Sequence, residues 1–219
     1  MLGYWLPSTT TISERARRRY GVEARLTGEG VALTFDDGPH PDGTPAVLEA
    51  LAREGVHATF FLVGEQVQRR PELAAHIASE GHEVGVHCFR HRNLLRLGPR
   101  AVRADLERAK TVISEATSRE PQLYRPPYGI LNAAALAEAR RRGWRVLLWS
   151  RDGKDWSRRA TPETIERRLV RDVSSGDVLL LHDADYYGTA GSWRRTVAAL
   201  PAILARLRER GLELQAARE

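Results

Sequence analysis

Little in this chain crosslinks or anchors it. A single cysteine, Cys88, stands among 219 residues, so no disulfide can form within the chain and bridges say nothing about redox compartment. The longest apolar runs, such as Phe60–Val63 and Val178–Leu181, fall far short of the ~20 residues a bilayer crossing takes. No secretory leader is visible: Met1–Pro7 is apolar and aromatic but lacks a basic start and a long enough apolar stretch. Repeats, low-complexity segments and linkers are absent too. Lysine is nearly missing, with Lys110 and Lys154 alone among 34 basic residues.

Arginine carries the charge instead. The net charge of +6 and a pI near 10.0 raise the question of nucleic acid, since basic stripes neutralise phosphates. The arginines are spread along the chain and interleaved with acids, as in Arg103–Arg108, with one dense cluster at Arg15, Arg17, Arg18 and Arg19. A solvated surface is therefore expected, with no nucleic-acid partner. The cluster, with Leu2, Tyr4, Trp5 and Leu6, offers a peripheral contact to an anionic bilayer; an arm tied down across the domain is the preferred reading. A cytoplasmic or membrane-peripheral location is expected, or a secreted, wall-facing one if a leader has been removed. A hydrophobic share of 42% beside 28% charge is the balance of an ordinary globular domain, and the length favours one domain.

Short β-type runs alternate with longer helical patterns. Strands are predicted at Gly30–Phe35, His57–Val63, Glu83–His87, Gln122–Arg125, Arg145–Trp149 and Asp177–Leu181, with a weaker seventh at Leu212–Leu214. Helices are predicted at Pro45–Glu54, Pro71–Glu80, Pro99–Thr117, Asn132–Arg142, Pro162–Val173 and Trp193–Arg210. Thr44-Pro45 and Thr161-Pro162 are start signals, while Gly55, Gly81 and Gly143 follow helices. Nearly all-apolar strands such as Val31–Phe35 suit burial on both faces. The alternation predicts an α/β fold, either a parallel (β/α) barrel or an open doubly wound sheet.

The polar residues fall at strand ends. Asp36 and Asp37 follow the first strand, His87 ends the third and Arg125 the fourth; Asp152 and Asp155 follow the fifth and His182 the sixth. In a parallel barrel these ends share one rim, where catalytic residues gather. His87 and His91 sit at i, i+4, a spacing that lets both imidazoles reach one ion if the stretch is helical; two surface histidines are the plainer reading of the pair alone. With Asp37 they form a two-His, one-carboxylate set suited to catalytic zinc or non-haem iron. Cys88 is expected to be a small buried thiol. The chain has no Gly-x-Ser-x-Gly elbow, no His-Glu-x-x-His helix and no P-loop.

Thr34-Phe35-Asp36-Asp37-Gly38-Pro39 resembles the first motif of the NodB-type polysaccharide deacetylases, carbohydrate esterase family four. His87-Cys88-Phe89-Arg90-His91 is similar to the second motif and Arg125-Pro126-Pro127-Tyr128-Gly129 to the third. Asp152-Gly153-Lys154-Asp155-Trp156 resembles the fourth and Leu180-Leu181-His182 the fifth, all in family order. Cys88 departs from the family, which usually has Ser or Thr there.

The resemblance implies a distorted (β/α) barrel of about seven parallel strands over residues 30–219, preceded by an N-terminal arm at 1–29. It implies that Asp37, His87 and His91 hold a divalent metal, zinc first, with cobalt, nickel or manganese as alternatives. Asp36 would be the general base, held by Arg125, and His182 the general acid, held by Asp155. The main chain of Tyr128 would stabilise the oxyanion, while Pro126, Trp156 and Leu180 line the substrate pocket. The implied reaction is removal of acetyl groups from N-acetylated amino sugars by a monomer; an acetyl-ester hydrolase or a non-catalytic glycan-binding domain are the alternatives. The segment Asp183–Ser192, with Tyr186 and Tyr187, is expected to shape substrate choice.

Overall fold

The computed structural model describes residues 2–217. Met1, at the start of the expected arm, and Arg218 and Glu219, at the end of the expected 30–219 unit, lie outside the described residues, as does the side chain of Leu2. The strands are β1 (Val22–Glu23), β2 (Val31–Asp36), β3 (Thr59–Leu62), β4 (Glu83–Val86), β5 (Leu123–Tyr124), β6 (Arg145–Leu147), β7 (Arg151–Asp152), β8 (Val178–His182) and β9 (Leu214–Gln215). Every residue of β2 and β3 is buried, as their largely apolar sequences require when helices cover the outside of a parallel sheet.

The strands pair in the order β1-β6-β5-β4-β3-β2-β8-β7, with β9 on the start of β2, and every pairing is parallel. The sheet curls into a half-barrel, and the expected α/β class and parallel barrel hold. The link from β6 to β7 shows how far it curls. Only Leu148, Trp149 and Ser150 carry the chain from near one end of the strand order to the other. At ~3.6 Å per residue at most, that link holds the two regions within about 14 Å. The expected strand Arg145–Trp149 thus ends at Leu147, paired to β1 and β5, and the separate short strand β7 follows it and pairs to β8.

The helices are α1 (Leu2–Trp5), α2 (Glu14–Tyr20), α3 (Gly43–Arg53), α4 (Gly64–Arg69), α5 (Pro71–Ser79), α6 (Pro99–Thr117), α7 (Ala133–Arg141), α8 (Pro162–Val170) and α9 (Ser192–Glu209). Thr161 caps α8 in a reciprocal capping box with Thr164, and Asn132 caps α7 by accepting from the Ala135 amide. Short α2 and α4 and the two-residue β1 and β7 escaped the sequence reading, because elements of two to seven residues carry too little periodicity.

The N-terminal residues brace the domain. Tyr4 Oη donates to Leu97 O at 2.6 Å and accepts from Asn132 Nδ2 at 3.0 Å. Thr11 Oγ1 donates to Gly129 O at 2.8 Å. Further along, β1 extends the sheet beyond β6, and Arg25 pairs with Asp177 at 2.5 Å. Trp5, Leu6 and Ile12 remain exposed.

Candidate active site at the strand C-termini

Strand register brings the polar residues together. Asp36 and His182 are register partners at the ends of β2 and β8, and Asp152 lies beside Leu180. The Arg125 amide donates to Val86 O at 3.0 Å, setting Arg125 beside His87. Among the described residues, four of the five non-glycine residues at positive φ lie in these loops: Asp37 (81°), Cys88 (65°), Tyr128 (60°) and Lys154 (50°). Such conformations cost energy and persist where surroundings over-determine them, commonly at functional sites.

His87 and His91 do not lie on a helix. They share a bent loop after β4, and the turn at Cys88 aims both rings inward. His87 Nδ1 lies 2.7 Å from Arg125 O; a carbonyl only accepts, so Nδ1 carries the proton and Nε2 is bare. That Nε2 lies 3.5 Å from Asp37 Oδ1, and His91 Nε2 lies 3.4 Å from the same oxygen. Burial pushes both histidines down to about 3, and therefore neutral, and pushes Asp37 up to about 7. Asp37 Oδ1 is buried without a hydrogen-bond partner.

Neutral ring nitrogens converging on an orphaned carboxylate oxygen are poorly satisfied on their own, and a cation among them resolves the arrangement. Donors around a tetrahedral zinc at ~2.0–2.1 Å are about 3.3–3.4 Å apart, close to the separations here. Asp37, His87 and His91 therefore fit a divalent metal.

Two oppositely biased groups flank this cluster. Asp36 is buried and accepts from Arg125 Nη1 at 2.7 Å. Fully buried Arg125 also donates to Thr34 Oγ1, Leu147 O and Leu148 O, and its guanidinium lies 4.0 Å above the Phe61 ring. Burial raises the Asp36 pKa and the Arg125 charge pulls it back. On the other side, His182 Nδ1 meets Asp155 Oδ1 at 2.8 Å, and the second Asp155 oxygen accepts from His182 N and Thr196 Oγ1, each at 2.7 Å. Burial opposes a charge on His182, but Asp155 and the other nearby carboxylates outweigh it and lift the pKa to about 10. Burial likewise opposes ionised Asp155, yet the His182 charge and these hydrogen bonds hold it below its ordinary value.

A cavity of about 300 Å³ opens above the cluster, room for a small group such as one sugar ring. Among the sequence-predicted residues, Asp36, Asp37, His87, His91, Tyr128, Trp156, Leu180 and His182 line it. Arg125 and Asp155 sit behind Asp36 and His182, whereas Pro126 is buried and off the wall. Tyr187 lines the cavity, stacked on His91 with centroids 4.1 Å apart, while Tyr186 does not. Trp149 is a wall residue that sequence reasoning missed; its place at the end of a predicted strand was the available signal. Cys88 is a fully buried core thiol 3.6 Å from Tyr124 Oη.

A curled parallel sheet with an Asp-His-His cluster at its C-terminal rim is the architecture defined so far. Residues 24–147 match the family model described as polysaccharide deacetylase. The chain is 38% identical over 183 residues to a peptidoglycan-N-acetylglucosamine deacetylase of Bacillus cereus, covering 83% of each. It is 36% identical over 205 residues to a chitooligosaccharide deacetylase of Bradyrhizobium sp., covering 90% of this chain and 92% of that one. The crystal structure of the Bc1960 peptidoglycan N-acetylglucosamine deacetylase superposes with a TM-score of 0.82 at 30% identity, covering 89% of both chains. The chain belongs to the polysaccharide deacetylase family.

Proposed function

We propose that this protein is a metal-dependent N-deacetylase acting as a monomer on N-acetylated amino-sugar glycans of the peptidoglycan or chitooligosaccharide kind, with residues 30–219 as the catalytic unit. The observation that carries the reading is the polarity of the rim: an Asp37–His87–His91 cluster lies between a carboxylate paired with arginine and a histidine paired with aspartate. Zinc is the preferred ion, and cobalt, nickel or manganese suit the same donors. A divalent ion supplies Lewis acidity toward the amide carbonyl and acidifies water.

This chain's residues do the rest. Arg125 fixes the Asp36 carboxylate, which takes the proton of the attacking water. The Tyr128 backbone N–H stabilises the charge that develops on the carbonyl oxygen. His182, kept protonated by Asp155, donates its proton to the departing amine, without which the C–N bond does not break. Trp156 and Leu180 pack against the sugar and its acetyl group, with Trp149 and Tyr187 completing the wall.

Acetate release after chelation, and again after zinc addition, tests the reading on N-acetylglucosamine oligomers beside an acetyl ester. Zinc-restored release from the oligomers is the expected result. Release from the ester alone would replace amide with ester hydrolysis, and no release from either would overturn the reading.

A further inference from the structure

A second concavity lies against the free side of β7. It measures about 570 Å³ and runs between Ser150–Lys154, the turn through Ser157 and Arg159, and the face of α8. Six cations line it, Arg151, Lys154, Arg159, Arg167, Arg168 and Arg171, against two acids, Asp152 and Asp172. Arg151 is committed to Asp177 at 3.1 Å and Arg171 lies 3.7 Å from Asp172. Arg168 Nε donates to the Asp152 main chain at 3.2 Å. Among the described residues, Lys154, Arg159, Arg167 and Arg168 have no acidic side chain within ion-pair distance. Elsewhere arginines commonly meet acids, as with Arg142 on Glu107 and Glu138 or Arg208 on Glu54.

β7 ends the strand order, and charge along such an edge discourages pairing with another chain. That purpose is served by either sign, and a mixed set would repel less within itself. Here one sign accumulates in a concave surface, where its field is focused toward whatever enters. The groove also adjoins the candidate active site, since Asp152 lines both cavities. A glycan extended from the metal cluster past Asp152 would meet the arginine groove.

We propose that this groove is a subsite for anionic substituents, carboxylate or phosphate, on the glycan chain whose acetylated sugar occupies the active-site cavity. Guanidinium forks bind both groups through paired hydrogen bonds. The activity arm of the test rests on the deacetylase reading; the binding arm stands without it.

The test compares wild type with the double variant Arg159→Glu, Arg167→Glu, two exposed side chains outside the catalytic site. Calorimetric titration uses a neutral N-acetylglucosamine oligomer, the same oligomer bearing carboxylates, and one bearing phosphates. Wild type should bind a charged oligomer more tightly than the neutral one, and the advantage should shrink as salt rises. The double variant should lose about fivefold to tenfold in affinity for the charged oligomer, with neutral binding and melting temperature unchanged. Whichever charged oligomer gains more names the anion. In acetate-release assays the loss should appear in KM and leave kcat alone. Equal binding of charged and neutral oligomers by wild type, or an unaltered charged-oligomer affinity in the variant, overturns the subsite. Deacetylation of the neutral oligomer is the control for the proposed reaction: its failure counts against that reaction, and the titrations still decide the groove.

Discussion

At the scale of single residues, the candidate site gives like groups unlike partners. Asp36 and Asp155 are both buried carboxylates, yet one faces a guanidinium and the other an imidazole, which fits them to opposite ends of a proton transfer. Asp36→Asn is expected to lower kcat by about 10²–10⁴ while metal content, measured by atomic absorption, stays at wild-type level. His87→Ala should instead cut metal affinity by about 100-fold or more, since it removes a donor outright. Asp155→Asn tests the acid. In the proposed role His182 must be protonated to donate, so activity is expected to fall as pH rises through its pKa, and Asp155 is the foremost of the charges that lift that pKa. Its removal should move the alkaline limb of kcat/KM roughly 1–3 pH units lower; an unmoved limb would remove His182 from the role.

At the scale of elements, loops held from behind keep these side chains in place. Asn132 accepts from the Ala135 amide to cap α7, and donates to Leu94 O at 2.6 Å and to Tyr4 Oη. It thereby joins three segments, two of them beside motif loops. Asn132→Ala is expected to cost about 1–3 kcal/mol in denaturant unfolding. The turn after β2 is tighter still. A Cβ at Gly38 would overlap the buried Asp183 carboxylate, which Thr44 also engages. Gly38→Ala must displace the loop that carries Asp37, so a loss of metal affinity should accompany any loss of stability.

At the scale of the molecule, Asp177 ties the barrel together at the end opposite the site. It pairs with Arg25 and Arg151 and accepts from the Ser150 hydroxyl and the Ser174 amide. Residues before β2 are thus joined to β7 and β8. Burial works against its charge, but these hydrogen bonds and the Arg25 charge hold its pKa below the ordinary value. A depressed folded pKa gives stability that is present above the unfolded value of ~3.9 and is lost as pH falls through the folded one. Asp177→Asn should therefore cost about 1–3 kcal/mol near neutrality, and the difference from wild type should fade below about pH 4. Melting curves across pH check this.

By itself the sequence determined the alternation of strands and helices, and with it the parallel sheet, because buried strands such as β2 and long amphipathic helices such as α6 write their periods over many residues. It also placed Asp36, Asp37, His87, Arg125, Asp155 and His182 at strand ends, and parallel strands bring such ends to one rim. Only the tertiary structure decided which of those residues face the cavity and which stand behind it. The motif resemblance implied that Arg125 and Asp155 stand behind Asp36 and His182, but their separations of 2.7 and 2.8 Å are contacts that no local pattern encodes. The loop holding His87 and His91, the division of Arg145–Asp152 into two strands with different neighbours and the stacking of Tyr187 on His91 were equally out of reach. Each depends on contacts between residues far apart in the chain, while periodicity reports only what neighbouring residues share.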